Sequence, residues 1–282
     1  MKAASLASLP VLFAIVALLA LAIVAGRSWL QSRAKSGPEC RGIAAPPERV
    51  DGARSAVYRV ASGRALRIHG FVPQDPARPD RMTLLFFFGG GFVVGDILQF
   101  ADQARALQAR GHVALLADYR VRCRDGTGAR QAIADGHAAY AWLRAHAPDW
   151  GVDARRIVLA GGSAGGRIAF EIARRAPDGA APAALLLFNP DLGRLDEPVR
   201  LPPTLVFHGD ADTDVPIAAS RRLCERAHAA GGDCRLQAYP GAGHGFFNRR
   251  EVDPATGASP FDDTLARALA FVDAVGARPL PG

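Results

Sequence analysis

Lysine is nearly absent from this 282-residue chain: Lys2 and Lys35 are the only two, so the formal charge of +7 is carried almost wholly by arginine. The arginines are scattered between acids without a run of like charge, which excludes the clustered stripe of a nucleic-acid footprint. Cysteine is also sparse. Cys40, Cys123, Cys224 and Cys234 form no C-x-x-C pair and no cysteine–histidine cluster, so a structural zinc site is excluded. What remains is ordinary globular material, 49% apolar and 22% charged, which argues against disorder, collagen or coiled coil. A body of about 240 residues buries roughly three quarters of its unfolded surface, so no staple is required to hold it.

Composition is not uniform along the chain. Between Ala3 and Gly26 there is no charge, and Val11 to Ala25 (VLFAIVALLALAIVA) is almost wholly aliphatic. Twenty-four helical positions span about 36 Å, against a hydrocarbon core of about 30 Å. The run lacks a polar face, exceeds a usual signal-peptide core, and offers only Ala20-Leu21-Ala22 as a cleavage site, so an uncleaved anchor over residues 1–30 is expected. A linker, 31–47, would join it to a body over 48–282. Arg27, Arg33, Lys35 and Arg41 follow the segment and would by themselves keep the body cytoplasmic. The even cysteine number weighs for export, to the periplasmic or extracellular side, and export is the expectation. Four cysteines permit three pairings. Cys224 on a helix and Cys234 opening the next strand could bridge if their Cα atoms approach within about 7 Å; buried free thiols are the alternative.

Strand-like runs occur at Ser55 to Val60, Ala65 to Val72, Met82 to Phe88, His112 to Tyr119, Arg156 to Ala160, Ala184 to Phe188, Thr204 to His208 and Arg235 to Tyr239. Helical patterns cover Gln99 to Arg110, Arg130 to His146, Ala164 to Arg175, Ile217 to Ala230 and Asp262 to Val275. Continuous apolar strands imply burial on both faces, so the alternation predicts an α/β domain: a mostly parallel sheet with helices on both faces. Reactive groups in such sheets lie just beyond the carboxyl ends of the strands.

Three strand ends carry chemistry. After Arg156 to Ala160 comes Gly161-Gly162-Ser163-Ala164-Gly165-Gly166, a G-x-S-x-G in a strand-turn-helix setting that presents a nucleophilic serine. Composition alone gives about 0.1 chance matches to this pattern, and its setting makes it specific. No lysine follows, and the spacing fits neither a P-loop nor G-x-G-x-x-G, so a phosphate cradle is excluded. A serine hydroxyl needs a base. Of seven histidines, His244 alone sits in a glycine-flanked loop after the last strand, whereas His208 ends a strand and is expected to support the aspartate-bearing turn that follows it. Asp210, Asp212 and Asp214 share one loop, and any of them could orient the imidazole. The run Phe88-Gly89-Gly90-Gly91-Phe92 after Met82 to Phe88 would leave backbone N–H groups free to meet an oxyanion.

Five motifs in this order, FFFGGGF, DYR at Asp118 to Arg120, GGSAGG, HGDADTDVP and GAGHGF, resemble the hormone-sensitive-lipase-like branch of the α/β-hydrolase superfamily, close to its cap-poor carboxylesterases, over roughly residues 50 to 275. The resemblance implies an α/β-hydrolase fold and a catalytic set of Ser163, Asp212 and His244. Its oxyanion donors would fall on the amides of Gly90, Gly91 and Ala164. Two positions depart from the pattern: Phe88 replaces the histidine of H-G-G-G, and Arg167 stands where similar proteins often carry histidine. Only Asn189 to Pro203 separates two strands where relatives insert a lid, so a minimal cap and an open site for short acyl esters are expected.

The implied activity is ester hydrolysis through an acyl-enzyme with no metal or organic cofactor, on a small-molecule ester, with the lipid bilayer as a further partner and no nucleic acid. Two alternatives stand beside it. One is an amidase or peptidase-like serine hydrolase; the other is a catalytically silent, membrane-tethered binding protein of the same fold, prompted by Phe88.

Overall fold

The computed structural model describes residues 37–75, 78–177, 179–193, 195–253 and 257–279. Its centre is one eight-stranded sheet made of β1 (Arg54–Ala61), β2 (Arg64–Phe71), β3 (Thr83–Phe87), β4 (Val113–Ala117), β5 (Ile157–Gly162), β6 (Ala184–Phe188), β7 (Thr204–Gly209) and β8 (Cys234–Tyr239), in the order β1-β2-β4-β3-β5-β6-β7-β8. The β1–β2 and β2–β4 pairs are antiparallel and all others parallel. The aliphatic and aromatic runs of β3, β4 and β6 are buried at every residue. Successive side chains of a strand point to opposite faces, so uninterrupted burial means that helices cover both faces.

The helices are α1 (Ala101–Ala109), α2 (Arg122–Asp125), α3 (Ala129–Ala145), α4 (Ala164–Arg175), α5 (Ala218–Ala229) and α6 (Pro260–Gly276). Most expected boundaries agree to within a few residues. The helix expected from Gln99 begins two residues later, at Ala101. A 3-10 turn over Ile97–Phe100, capped by the Asp96 side chain on the Leu98 amide, precedes α1, so Gln99 is free to point into the site. Residues 189–193 and 195–203 hold no helix or strand, so no lid domain interrupts the sheet between β6 and β7.

The membrane segment expected between Ala3 and Gly26 lies outside the described residues. Among those that are described, no helix is long and apolar enough to cross a membrane. The four cysteines pair as Cys40–Cys123 and Cys224–Cys234, with Cα atoms 5.0 Å apart in each, so the helix-to-strand bridge is present and free thiols are not. Cys40 lies in the 31–47 linker, and its bond ties that linker to α2.

Candidate active site

Parallel strands deliver their carboxyl ends to one edge, where the segments after β3, β5, β6, β7 and β8 converge around a cleft of about 690 Å³ lined by Gly90, Gly91, Ser163, Asn189 and His244. Each segment has a local reason for its course.

After β5 the chain turns sharply into α4, and Ser163 at the corner has φ 50 and ψ −117, a conformation that a serine adopts only when its surroundings impose it. Two glycines make the turn possible. A Cβ on Gly165 would lie 2.1 Å from the Phe87 oxygen and 2.3 Å from the Phe88 oxygen, and one on Gly161 would lie 2.5 Å from the Gly165 carbonyl. The close approach of these two glycines, expected from the pattern, is thus a packing requirement.

The loop after β3 is shaped by its own hydrogen bonds. Gly89 N–H donates to Gln99 Oε1 at 2.7 Å, and the amides of Val93 and Val94 both donate to the Gly90 oxygen at 3.0 Å. Gly90 has φ 123, and a Cβ there would lie 2.3 Å from the Val94 oxygen, so only glycine fits. Among the described residues, the amides of Gly90, Gly91 and Ala164 have no protein acceptor, which leaves them free to meet a ligand oxygen.

Phe88 does not face the cleft. Its ring is buried and stacks on Tyr119 with centroids 3.9 Å apart, while the Tyr119 hydroxyl donates to the Phe88 carbonyl at 2.6 Å. Tyr119 belongs to the DYR motif, whose Asp118 is held by Arg64 and Arg124. The Phe88 ring occupies the space where a Cβ on Gly95 would lie, 2.2 Å from the nearest ring carbon, and neither ring of the pair lines the cleft. Arg167 also has a partner: its guanidinium lies 3.6 Å from Asp191, joining the first turn of α4 to the loop after β6.

The carboxylate most tightly held in the loop after β7 is Asp212. Its side chain is buried; Oδ1 accepts from the Asp214 and Val215 amides at 3.0 and 2.9 Å, and Oδ2 lies 2.8 Å from His244 Nδ1. Asp210 instead accepts from the Gly241 amide, and Asp214 is exposed. His208 supports this loop as expected. Burial pushes its imidazole down, so the neutral ring donates from Nε2 to the Val215 oxygen at 2.8 Å and accepts at Nδ1 from Ser220 at 2.7 Å.

His244 is 24% exposed at its side chain, on the cleft wall. Ser163 Oγ makes no hydrogen bond to it among the described residues. Its Nε2 is met instead by Asn189 Nδ2 at 3.3 Å. Neither Asn189 nor Gln99 stands out in sequence. Asn189 carries a positional signal, since it comes directly after β6, at the strand end where a parallel sheet places its reactive groups. Gln99 carries no such signal, because its role depends on the 3-10 turn.

The family described as an alpha/beta hydrolase fold matches residues 84–200, and the prolyl oligopeptidase family matches residues 191–259. Among solved structures, Thermogutta terrifontis esterase 2 phosphorylated by paraoxon is 33% identical with a TM-score of 0.70, over 81% of this chain and 97% of that one. The chain belongs to the α/β-hydrolase family, in its esterase branch. The butyrate-bound form of the same Thermogutta esterase is 32% identical with a TM-score of 0.70, over 82% of this chain and 97% of that one. Esterase LipI of Mycobacterium tuberculosis is 38% identical over 110 residues, 39% of this chain. That match spans about a third of LipI, 34% of its length.

Proposed function

We propose that this α/β hydrolase is a serine carboxylesterase that cleaves short-chain acyl esters through an acyl-enzyme. The observation that carries the reading is the convergence, on one cleft, of a strained Ser163, the His244–Asp212 pair and three unpaired amides. Ser163 Oγ attacks the acyl carbon as His244 Nε2 takes its proton. Asp212 keeps the hydrogen on Nδ1 and stabilises the charged ring. The Gly90, Gly91 and Ala164 amides receive the negative oxygen of the tetrahedral intermediate. His244 then returns the proton to the departing alkoxide, and water repeats the sequence on the acyl-enzyme. No step calls on a metal or organic cofactor.

Short acyl groups are favoured by the absence of a lid domain over the described cleft and by relatives solved with propionate and butyrate bound. The matched prolyl oligopeptidase segment, which holds Asp212 and His244, supports amide cleavage as a second reading. We further propose that the segment between Ala3 and Gly26 anchors the enzyme and that its body is exported, a placement in keeping with two disulfides.

The deciding experiment compares the wild type with Ser163→Ala on p-nitrophenyl acetate, butyrate and octanoate and on aminoacyl p-nitroanilides. Loss of at least about 10³-fold in kcat/KM on the short esters is expected, with the fold retained. Unchanged turnover removes the serine mechanism, and faster anilide than ester cleavage replaces the esterase with an amidase. A well-folded chain that neither turns over nor accepts a fluorophosphonate at Ser163 is a binding protein.

A further inference from the structure

Asn189 is buried, and its φ of 35 falls in the left-handed region that asparagine tolerates better than most residues. Its amide N–H donates to the Phe207 oxygen at 2.7 Å, so the backbone is pinned to β7. From there the side chain spans two points of the loop after β8. Nδ2 lies 3.3 Å from His244 Nε2, and Oδ1 accepts from the Gly245 amide at 3.3 Å. The second contact sets the orientation of the first, because a backbone N–H requires the oxygen. On the far side of the ring Asp212 accepts from Nδ1, so in the neutral imidazole Nε2 presents a lone pair to the Asn189 N–H.

We propose that Asn189 is a positioning residue that holds His244 as a neutral base between turnovers and directs its Nε2–H to the reacting oxygens once the proton has been taken. This rests on the serine hydrolase reading. With a neutral ring, both contacts of the amide are satisfied. With a protonated ring, Nε2–H faces Nδ2–H; turning the amide over relieves that conflict only by setting its NH₂ against the Gly245 N–H. The imidazolium therefore finds no acceptor in Asn189. As Ser163 Oγ bonds to the acyl carbon, its proton moves to Nε2 and displaces the Asn189 contact. The same proton leaves on the alkoxide oxygen as the acyl C–O bond breaks, and the Asn189 N–H returns to the lone pair.

Other charges near the ring are Asp212 at Nδ1, His208 behind Asp212, Asp210 and Asp214 in the acid loop, Asp191 after β6, Arg222 on α5 and Arg249 beside Gly243. All are untouched by substitutions at residue 189. Asn189→Asp offers oxygens to both Nε2–H and the Gly245 N–H, so the imidazolium becomes the satisfied form. Asn189→Gly removes the amide without a penalty at positive φ.

The test measures kcat/KM of the full chain on p-nitrophenyl acetate against pH, with a histidine NMR titration alongside. In Asn189→Asp the acid limb and the His244 titration are expected to move to higher pH by about one unit. Activity on that limb then falls about tenfold relative to the alkaline plateau. Asn189→Gly should move both in the same direction by less. A loss by one factor at every pH, with the His244 titration unmoved in both variants, overturns the proposal and leaves Asn189 a packing residue. Failure of the hydrolase reading shows separately, as an unmodified chain without turnover or fluorophosphonate labelling, and the NMR arm still decides the role of Asn189.

Discussion

Gly165→Ala adds one methyl group two residues beyond Ser163, at a site with no room for it. The added carbon would sit 2.1 and 2.3 Å from the carbonyl oxygens of Phe87 and Phe88, where ordinary contact begins at about 3.4 Å. The overlap exceeds 1 Å, and its partners are backbone atoms at the end of β3, with no rotamer to give way. One of them, the Phe88 carbonyl, also accepts the Tyr119 hydroxyl. Either α4 withdraws from the sheet or the glycine loop lifts, and each movement separates Ala164 N–H from those of Gly90 and Gly91. Overpacking of this severity costs about 3 kcal/mol or more. For a body of this size that lowers Tm by about 6–12 °C. A misplacement near 1 Å lowers kcat/KM by about 100-fold. Thermal unfolding followed by near-ultraviolet dichroism reads the first effect, and p-nitrophenyl acetate turnover reads the second. Gly128→Ala is the control: a Cβ there meets nothing within 4 Å and φ is negative, so its cost stays below about 1 kcal/mol. A Gly165→Ala protein with wild-type Tm and activity would refute the idea that this close approach holds the proposed oxyanion amides in place.

Burial, with Arg67 nearby, pushes the His69 imidazole down to about 4, so the folded chain refuses a proton that the unfolded chain binds at about 6.5. Stability should therefore fall as pH drops from about 6.5 to about 4, by on the order of 2 kcal/mol from this group. Asn in place of His69 should flatten that slope in urea titrations, and an unchanged slope would contradict the assignment. The two disulfides close loops of very different length, with sequence separations of 83 and 10 residues. Chain entropy gives about 4.5 kcal/mol for Cys40–Cys123 and about 2.8 kcal/mol for Cys224–Cys234. Replacing the first pair by serine should thus lower the urea midpoint more than replacing the second, and the reverse order would show that loop closure does not govern their contribution.

Those parts of the fold were legible in sequence whose cause is local. The runs at Leu84 to Phe88 and Ala184 to Phe188 announce strands buried on both faces, and the glycines around Ser163 mark a turn that no side chain could enter. The proposed catalytic residues share that property: Ser163, Asp212 and His244 each follow a strand within a few residues, so sheet geometry alone gathers them at one edge. The side chains that hold them were not legible, because their meaning arises across the chain. Gln99 reaches the Gly89 amide only because a 3-10 turn replaces the expected start of a helix, and Cys40 finds Cys123 across 83 residues with no rule to select that pairing. Phe88 joins the two cases. As a departure at a motif position it prompted the catalytically silent alternative, yet its ring stays out of the cleft lining and stacks on Tyr119, whose hydroxyl holds the Phe88 carbonyl. The proposed oxyanion donors are backbone groups, so that position requires a side chain that packs and not one that donates. An aromatic ring paired with Tyr119 meets that requirement without a polar atom, and so the departure removes nothing from the donors that the proposed reaction uses.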